Sequence, residues 1–334
     1  METLFDTKVC HTATLIAGLA ALGFAGTTRA ATTPTVSEFI NAANCEYLVN
    51  AVPAGMRPFM SDGEPVTITD KADGVVAAVF VSAENQIIIA YQGTTGGQNL
   101  ALDPVAAAAQ FITDIGIFLD DTAKKGITPV AYRTALNFAQ TVVTLATAQG
   151  FPASNVFVTG HSLGGIEAEY VSQQTGLGGL SLEATGLATK ATAAATGTNF
   201  VNLVTDGDPV GNFSSDIPAE QPFAPAFVAQ GGKAPHYGPI VLLGNAAAQT
   251  TLSRTVANIG NPFDAPSILL NLTDLVLEYH LIGVQAHDAG VTLNPYSAQE
   301  DNSGNLNGPV FNIAALDIPG LIEQAAAAGK LIQS

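Results

Sequence analysis

Two apolar runs, "VVAAVFV" (75–81) and "IIIAY" (87–91), flank a short polar stretch, and the pair predicts adjacent strands joined by a turn. "NVFVTG" (155–160), "FVNLVTDGDPV" (200–210) and "GPIVLLG" (238–244) are further short, continuously apolar runs. They predict strands buried on both faces. Between them, apolar residues recur at helical spacing over 104–119 and 131–149, and "GIEAEYVSQQ" (165–174) predicts another helix. A short helix is expected over 35–51 and an alanine-rich one over 316–328. The stretch 176–199 begins as a strand and ends as a small-residue loop, while 211–235 and 245–268, rich in Pro, Gly and Asn, are expected to be loops. Apolar strands alternating with helices predict an α/β domain built on a mostly parallel central sheet flanked by helices. No repeat of fixed period is present.

The chain has 334 residues, 47% of them hydrophobic and 12% charged, so it can build a large core. Its mean hydropathy is +0.31. Only 11 Lys and Arg stand against 28 Asp and Glu, for a net charge of −17. That balance speaks against a nucleic-acid partner and against docking on anionic lipid by charge. Residues 13–26 are a run of small residues and leucines followed by "TRA", the form of a signal peptide cleaved near Ala30 and too short for a membrane span. The expectation is a secreted protein with no integral membrane span, in which 31–334 form one domain with loop insertions. Of the two cysteines, Cys10 falls in the leader and Cys45 in a helical, buried pattern. No Cys or His cluster has ligand spacing, so neither a metal nor a cofactor is expected.

"GHSLGG" (160–165) carries the chemistry. A serine between glycines, after a strand and before a helix, predicts a tight turn that lifts Ser162 above the sheet edge as a nucleophile. Acyl transfer also needs two backbone N–H donors for the oxyanion. Leu163 follows the serine directly, and the turn Gly93-Thr94 ends an earlier strand. An acid is expected after the serine, at Asp206 or Asp208 in "TDGDPVG". A base is expected later still, at His236, His280 or His287. His161 is set aside because neighbouring side chains at such a turn diverge.

The segments "AYQGTT", "ITDI", "VFVTGHSLGG", "DGDPVGNF", "HYGPIVLL" and "EYHLIGV" make the chain resemble the fungal-type class 3 lipases of the α/β-hydrolase superfamily, over roughly residues 75–285. The resemblance implies an α/β-hydrolase fold with its nucleophile elbow between strand and helix. It matches Ser162 to the nucleophile, Asp208 to the acid, Thr94 to the oxyanion residue and His280 to the late catalytic histidine, with His287 second. It implies a lid in the position of 96–112. The substrate expected is a lipid or other ester, met at a lipid–water interface. A phospholipase, a polyester depolymerase, an acyltransferase and an inactive binding protein on the same fold are the alternatives. "NFS" at 212 and "NLT" at 271 have the form of glycosylation acceptors.

Overall fold

The structure, a computed structural model, describes residues 33–94, 128–187, 199–217, 234–258, 265–295 and 309–333. The chain divides into units Met1–Ala30 and Ala31–Ser334, and every described residue belongs to the second. The leader, the helix expected over 104–119 and the lid expected over 96–112 lie outside the described residues.

The apolar runs become strands as expected. β5 (Val76–Val81) and β6 (Ile87–Tyr91) form the antiparallel pair, and β7 (Val156–His161), β8 (Gly178–Leu182), β9 (Phe200–Thr205) and β10 (Ile240–Leu243) continue parallel to β6. Preceding them, β1 (Arg57–Pro58) and β4 (Thr67–Thr69) both pair with β5. Between them, β2 (Met60–Ser61) and β3 (Glu64–Pro65) form a small hairpin. These four short strands were not legible in the hydrophobic pattern, because their residues are mostly exposed. At the far edge β11 (Leu331–Ile332) pairs antiparallel with β10. The five strands β6 to β10 therefore lie side by side in chain order, with every carboxyl end on the same edge.

Alternation along the strands divides the core between two faces. Ile87, Ile89 and Tyr91 with Val156 and Val158 meet α2 (Val130–Ala148) and α3 (Leu163–Thr175) through Ala135, Ala139, Val142 and Ile166. On the opposite face Ile88, Phe157, Leu180, Leu203 and Val241 meet α1 (Val36–Cys45), α6 (Ile282–Asp288) and α7 (Ile318–Ala327). α1 starts on a capping box in which the Thr35 hydroxyl and the Glu38 carboxylate each accept the other's backbone N–H. Cys45 ends that helix as a buried free thiol, pushed up to about 12 by burial and then by the Glu46 charge. Nothing in that setting activates it.

The loop expected over 245–268 is mostly helical. α4 (Ala246–Ala257) starts on Asn245, whose side chain accepts the Ala247 N–H at 3.0 Å. Leu252 and Val256 then pack against Leu272, Leu275 and Tyr279 of α5 (Ala265–Tyr279). Packing between the two helices outweighs the turn-forming residues that made the sequence look like a loop. Among the described residues no single helix is long and apolar enough to cross a membrane, although the bent pair Pro266–Tyr279 and Ile282–Asp288 passes that test by length and composition.

Both faces of β6 are sealed, so truncation there leaves a cavity that neither helix layer can fill. Ile89→Ala is expected to cost about 2–5 kcal/mol in urea unfolding. Leu270→Ala, at a residue 52% exposed, should stay within about 0.5 kcal/mol of wild type.

Candidate active site

The carboxyl ends of adjacent parallel strands collect the predicted residues, the edge at which open α/β sheets bind ligands. Gly93 and Thr94 follow β6, His161 and Ser162 end β7, Glu183 follows β8, and Asp206 and Asp208 follow β9.

Ser162 sits at φ 58° and ψ −125°, a sparsely populated conformation that costs about 1–3 kcal/mol. The turn survives because the residues two before and two after Ser162, Gly160 and Gly164, have no side chains. A Cβ on Gly160 would overlap the Gly164 carbonyl and lie 2.8 Å from Gly165 N, and one on Gly164 would overlap the Tyr91 carbonyl. The strand and the helix thus meet backbone to backbone. Ser162 N donates to Leu182 O at 2.8 Å, and Ile166 N donates to Ser162 O at 3.0 Å, fixing the turn from both sides. Ser162 occupies the N-cap position of α3, yet its side chain makes no cap bond. Its Oγ, buried in a residue 1% exposed, has no hydrogen-bond partner among the described residues. The N–H groups of Leu163 and Gly164 open the helix beside it, at its partially positive end. Gly93 closes the other side: a Cβ there would lie 3.1 Å from Ser162 Cβ. Thr94 is the next residue and is half-buried.

Asp208 and His280 come together. His280, just past the end of α5, presents Nδ1 to both carboxylate oxygens of Asp208 at 3.1 and 3.0 Å, with Asp208 fully buried. A carboxylate only accepts, so Nδ1 carries the proton and the lone pair of the neutral ring lies on Nε2. The turn after β9 holds the acid: Val210 N donates to Oδ1 at 3.1 Å and Gly211 N to Oδ2 at 2.8 Å. Burial pushes the Asp208 carboxyl up, but the charge and hydrogen bond of His280, together with bonds from Glu183 and Gly211, outweigh it and hold the carboxyl below its usual range. Asp206 instead is 8% exposed and pushed up to about 6 by burial, against the pull of Lys330.

The other histidines are engaged elsewhere. His236 bonds Asp216 at 2.9 Å through Nδ1 and Ala184 O at 2.9 Å through Nε2. His287 bonds Asp288 at 3.0 Å. His161, set aside as a base, has a positioning contact that the sequence did not suggest. Its Nε2–H donates to His280 O at 2.6 Å, so its Nδ1 accepts the Tyr47 hydroxyl, also at 2.6 Å. Burial, then the neighbouring His280, lowers His161 to about 3, so it stays a neutral strut. Tyr47 was missed because nothing in "NCEYLVN" links it to a residue 114 positions away. Asn212 is also not the glycan acceptor its sequon allowed. It is fully buried, and its amide donates to Thr205 O at 2.9 Å and Asp208 O at 2.8 Å. Among the described residues no group of three or more His, Cys, Asp or Glu could hold a metal ion.

The sheet order, the strand–Ser162–helix turn and the acid beyond the next strand but one define an α/β-hydrolase fold. No protein-family model and no curated protein matches the chain. Among solved structures it is similar to a triacylglycerol lipase from Penicillium expansum, at 18% identity over 63% of this chain and 79% of that one, with a TM-score of 0.39. The chemistry of the site therefore rests on its own geometry.

Buried acids set the pH response. Burial raises Glu46 and Glu169 to about 8, so the folded protein holds protons there that the unfolded chain has lost above about 4.5. That stability disappears as pH rises from about 4.5 through 8. His236, raised to about 9 by Asp216 against its burial, adds a loss between about 6.5 and 9. His161 acts oppositely, costing stability as pH falls from 6.5 toward 3. Thermal unfolding is expected to peak near pH 5 and to fall by pH 8. Glu169→Gln should flatten that fall. A transition that climbs steadily from pH 5 to 8 would contradict the assignment.

Proposed function

We propose that the protein is a serine carboxylic-ester hydrolase, a lipase acting on acylglycerols or related lipid esters. The observation that carries this reading is the buried Asp208–His280 pair, at 3.0–3.1 Å, on the sheet edge where Ser162 is held at positive φ. His280 Nε2 takes the Ser162 proton as Oγ attacks the ester carbonyl. Asp208 fixes the ring tautomer and stabilises the imidazolium. The N–H groups of Thr94 and Leu163 bind the oxyanion, and the collapse of the tetrahedral species expels the alcohol. Water, deprotonated by the same histidine, then releases the acid. A net charge of −17 disfavours an anionic partner and fits a substrate that is neutral or held by apolar contact. The small-residue leader ending near Ala30 supports export.

The test is hydrolysis of p-nitrophenyl esters from short to long acyl chains by protein lacking residues 1–30. Ser162→Ala and His280→Ala should each lower kcat by about three orders of magnitude or more with the fold intact. Asp208→Asn should lower it by up to about four orders. A long-chain optimum supports a lipase and a short-chain optimum an esterase. Activity that survives Ser162→Ala would remove the proposal.

A further inference from the structure

Glu183 is a buried acid at the same sheet edge that the mechanism above leaves unused. It follows β8 at φ 52°, a left-handed conformation uncommon for a residue with a side chain, and it is fully buried. Its backbone N–H donates to Leu203 O at 3.0 Å, and the preceding residue, Leu182, receives the Ser162 N–H, so Glu183 is held one residue from the nucleophile's anchor. Its Oε1 accepts the Thr205 N–H at 2.9 Å. Its Oε2 accepts from no donor among the described residues. That oxygen and Asp208 border the same point of the turn: a Cβ on Gly211 would overlap Glu183 Oε2 and lie 3.2 Å from Asp208 Oδ2. Two ionised carboxylates this close in a buried site repel each other, so one of them holds a proton. Asp208 accepts from His280, Val210 N and Gly211 N, whereas among the described residues Glu183 Oε2 has no donor to satisfy a charge. The proton therefore belongs on Glu183.

We propose that Glu183 is a positioning residue for the esterase site: its Oε2–H donates to Asp208 Oδ2, completing a Glu183–Asp208–His280 chain that holds the acid's plane and tempers its basicity. The assignment rests on the serine-hydrolase reading for its consequence, though not for its geometry. Burial, then the Asp208 charge, drives the Glu183 carboxyl well above its ordinary range, in keeping with that proton. Among the described residues, His161 from β7, neutral and tied to Tyr47, also feels the Asp208 charge. Without the Glu183 donor, Asp208 becomes a stronger acceptor and holds the imidazolium of His280 more tightly. The base form of His280 is then lost at a higher pH.

The experiment compares kcat/KM against pH for wild type, Glu183→Leu and Glu183→Gln on a soluble short-chain p-nitrophenyl ester. The ¹H NMR signal of the proton between His280 and Asp208 is recorded in all three. Glu183→Leu should move the acid limb up by roughly half to one pH unit and shift the NMR signal, while Glu183→Gln, which keeps a donor toward Asp208, should hold both near wild type. An acid limb and a signal unmoved in Glu183→Leu would make Glu183 packing alone. A limb that falls in Glu183→Gln would mean that Glu183 carries a charge. If Glu183→Leu does not fold, Glu183→Met, which also removes the donor at similar length, takes its place with the same expected and overturning results. If wild type hydrolyses no ester, the hydrolase reading fails, and the NMR comparison still tests the hydrogen bond.

Discussion

Everything at the site depends on how closely the backbone of β7 can approach that of α3. Gly160 lies against the Gly164 carbonyl, and Gly164 against the carbonyl of Tyr91 at the end of the neighbouring strand. That double contact lets the chain reverse within one residue and forces the strained φ of Ser162. Strain of about 1–3 kcal/mol is tolerable only because the surrounding sheet over-determines the turn. The same reversal opens α3 at the serine, so one steric constraint sets both the place of Ser162 at the sheet edge and a partially positive helix end beside it.

Parallel strand order does the rest. Because β6 to β9 run side by side in chain order, residues separated by more than a hundred positions converge without any element travelling far. Gly93, Ser162, Glu183 and Asp208 are successive contributions of successive strands, and His280 is delivered from above by the end of α5. The edge is acidic and buried. Burial holds protons on its glutamate Glu183 and on Glu167 and Glu169 of α3. A protonated acid is then available as a hydrogen-bond donor, which an ionised one cannot be.

The strands of the parallel core were legible because strands buried on both faces are apolar at every position, and "IIIAY" and "NVFVTG" allow little else. α4 was not, since only one face of it is buried, and that face packs on another helix whose place the sequence does not reveal. Ser162 and its glycines were legible because a tight turn constrains residues close in sequence. Asp208 could be separated from Asp206, and His280 from His236 and His287, only through a resemblance, because pairing across 72 positions leaves no local trace. Nothing local in "LSLEATG" sets Glu183 apart. Its meaning depends on β8 lying between the serine strand and the aspartate strand, which is a property of sheet order rather than of composition.

The central claim is that Ser162 is activated by the buried His280–Asp208 pair. It is tested most directly by treating the folded protein with a p-nitrophenyl alkylphosphonate and mapping the adduct by mass spectrometry. The phosphonate is attacked as an ester carbonyl would be, and the adduct it leaves is tetrahedral, with one oxygen in the oxyanion position. The account predicts one phosphonyl group per chain, on Ser162, with release of p-nitrophenol, and labelling slowed by orders of magnitude in His280→Ala. A folded protein that stays unlabelled, or that labels at another residue, or that labels Ser162 as fast without His280, would contradict it.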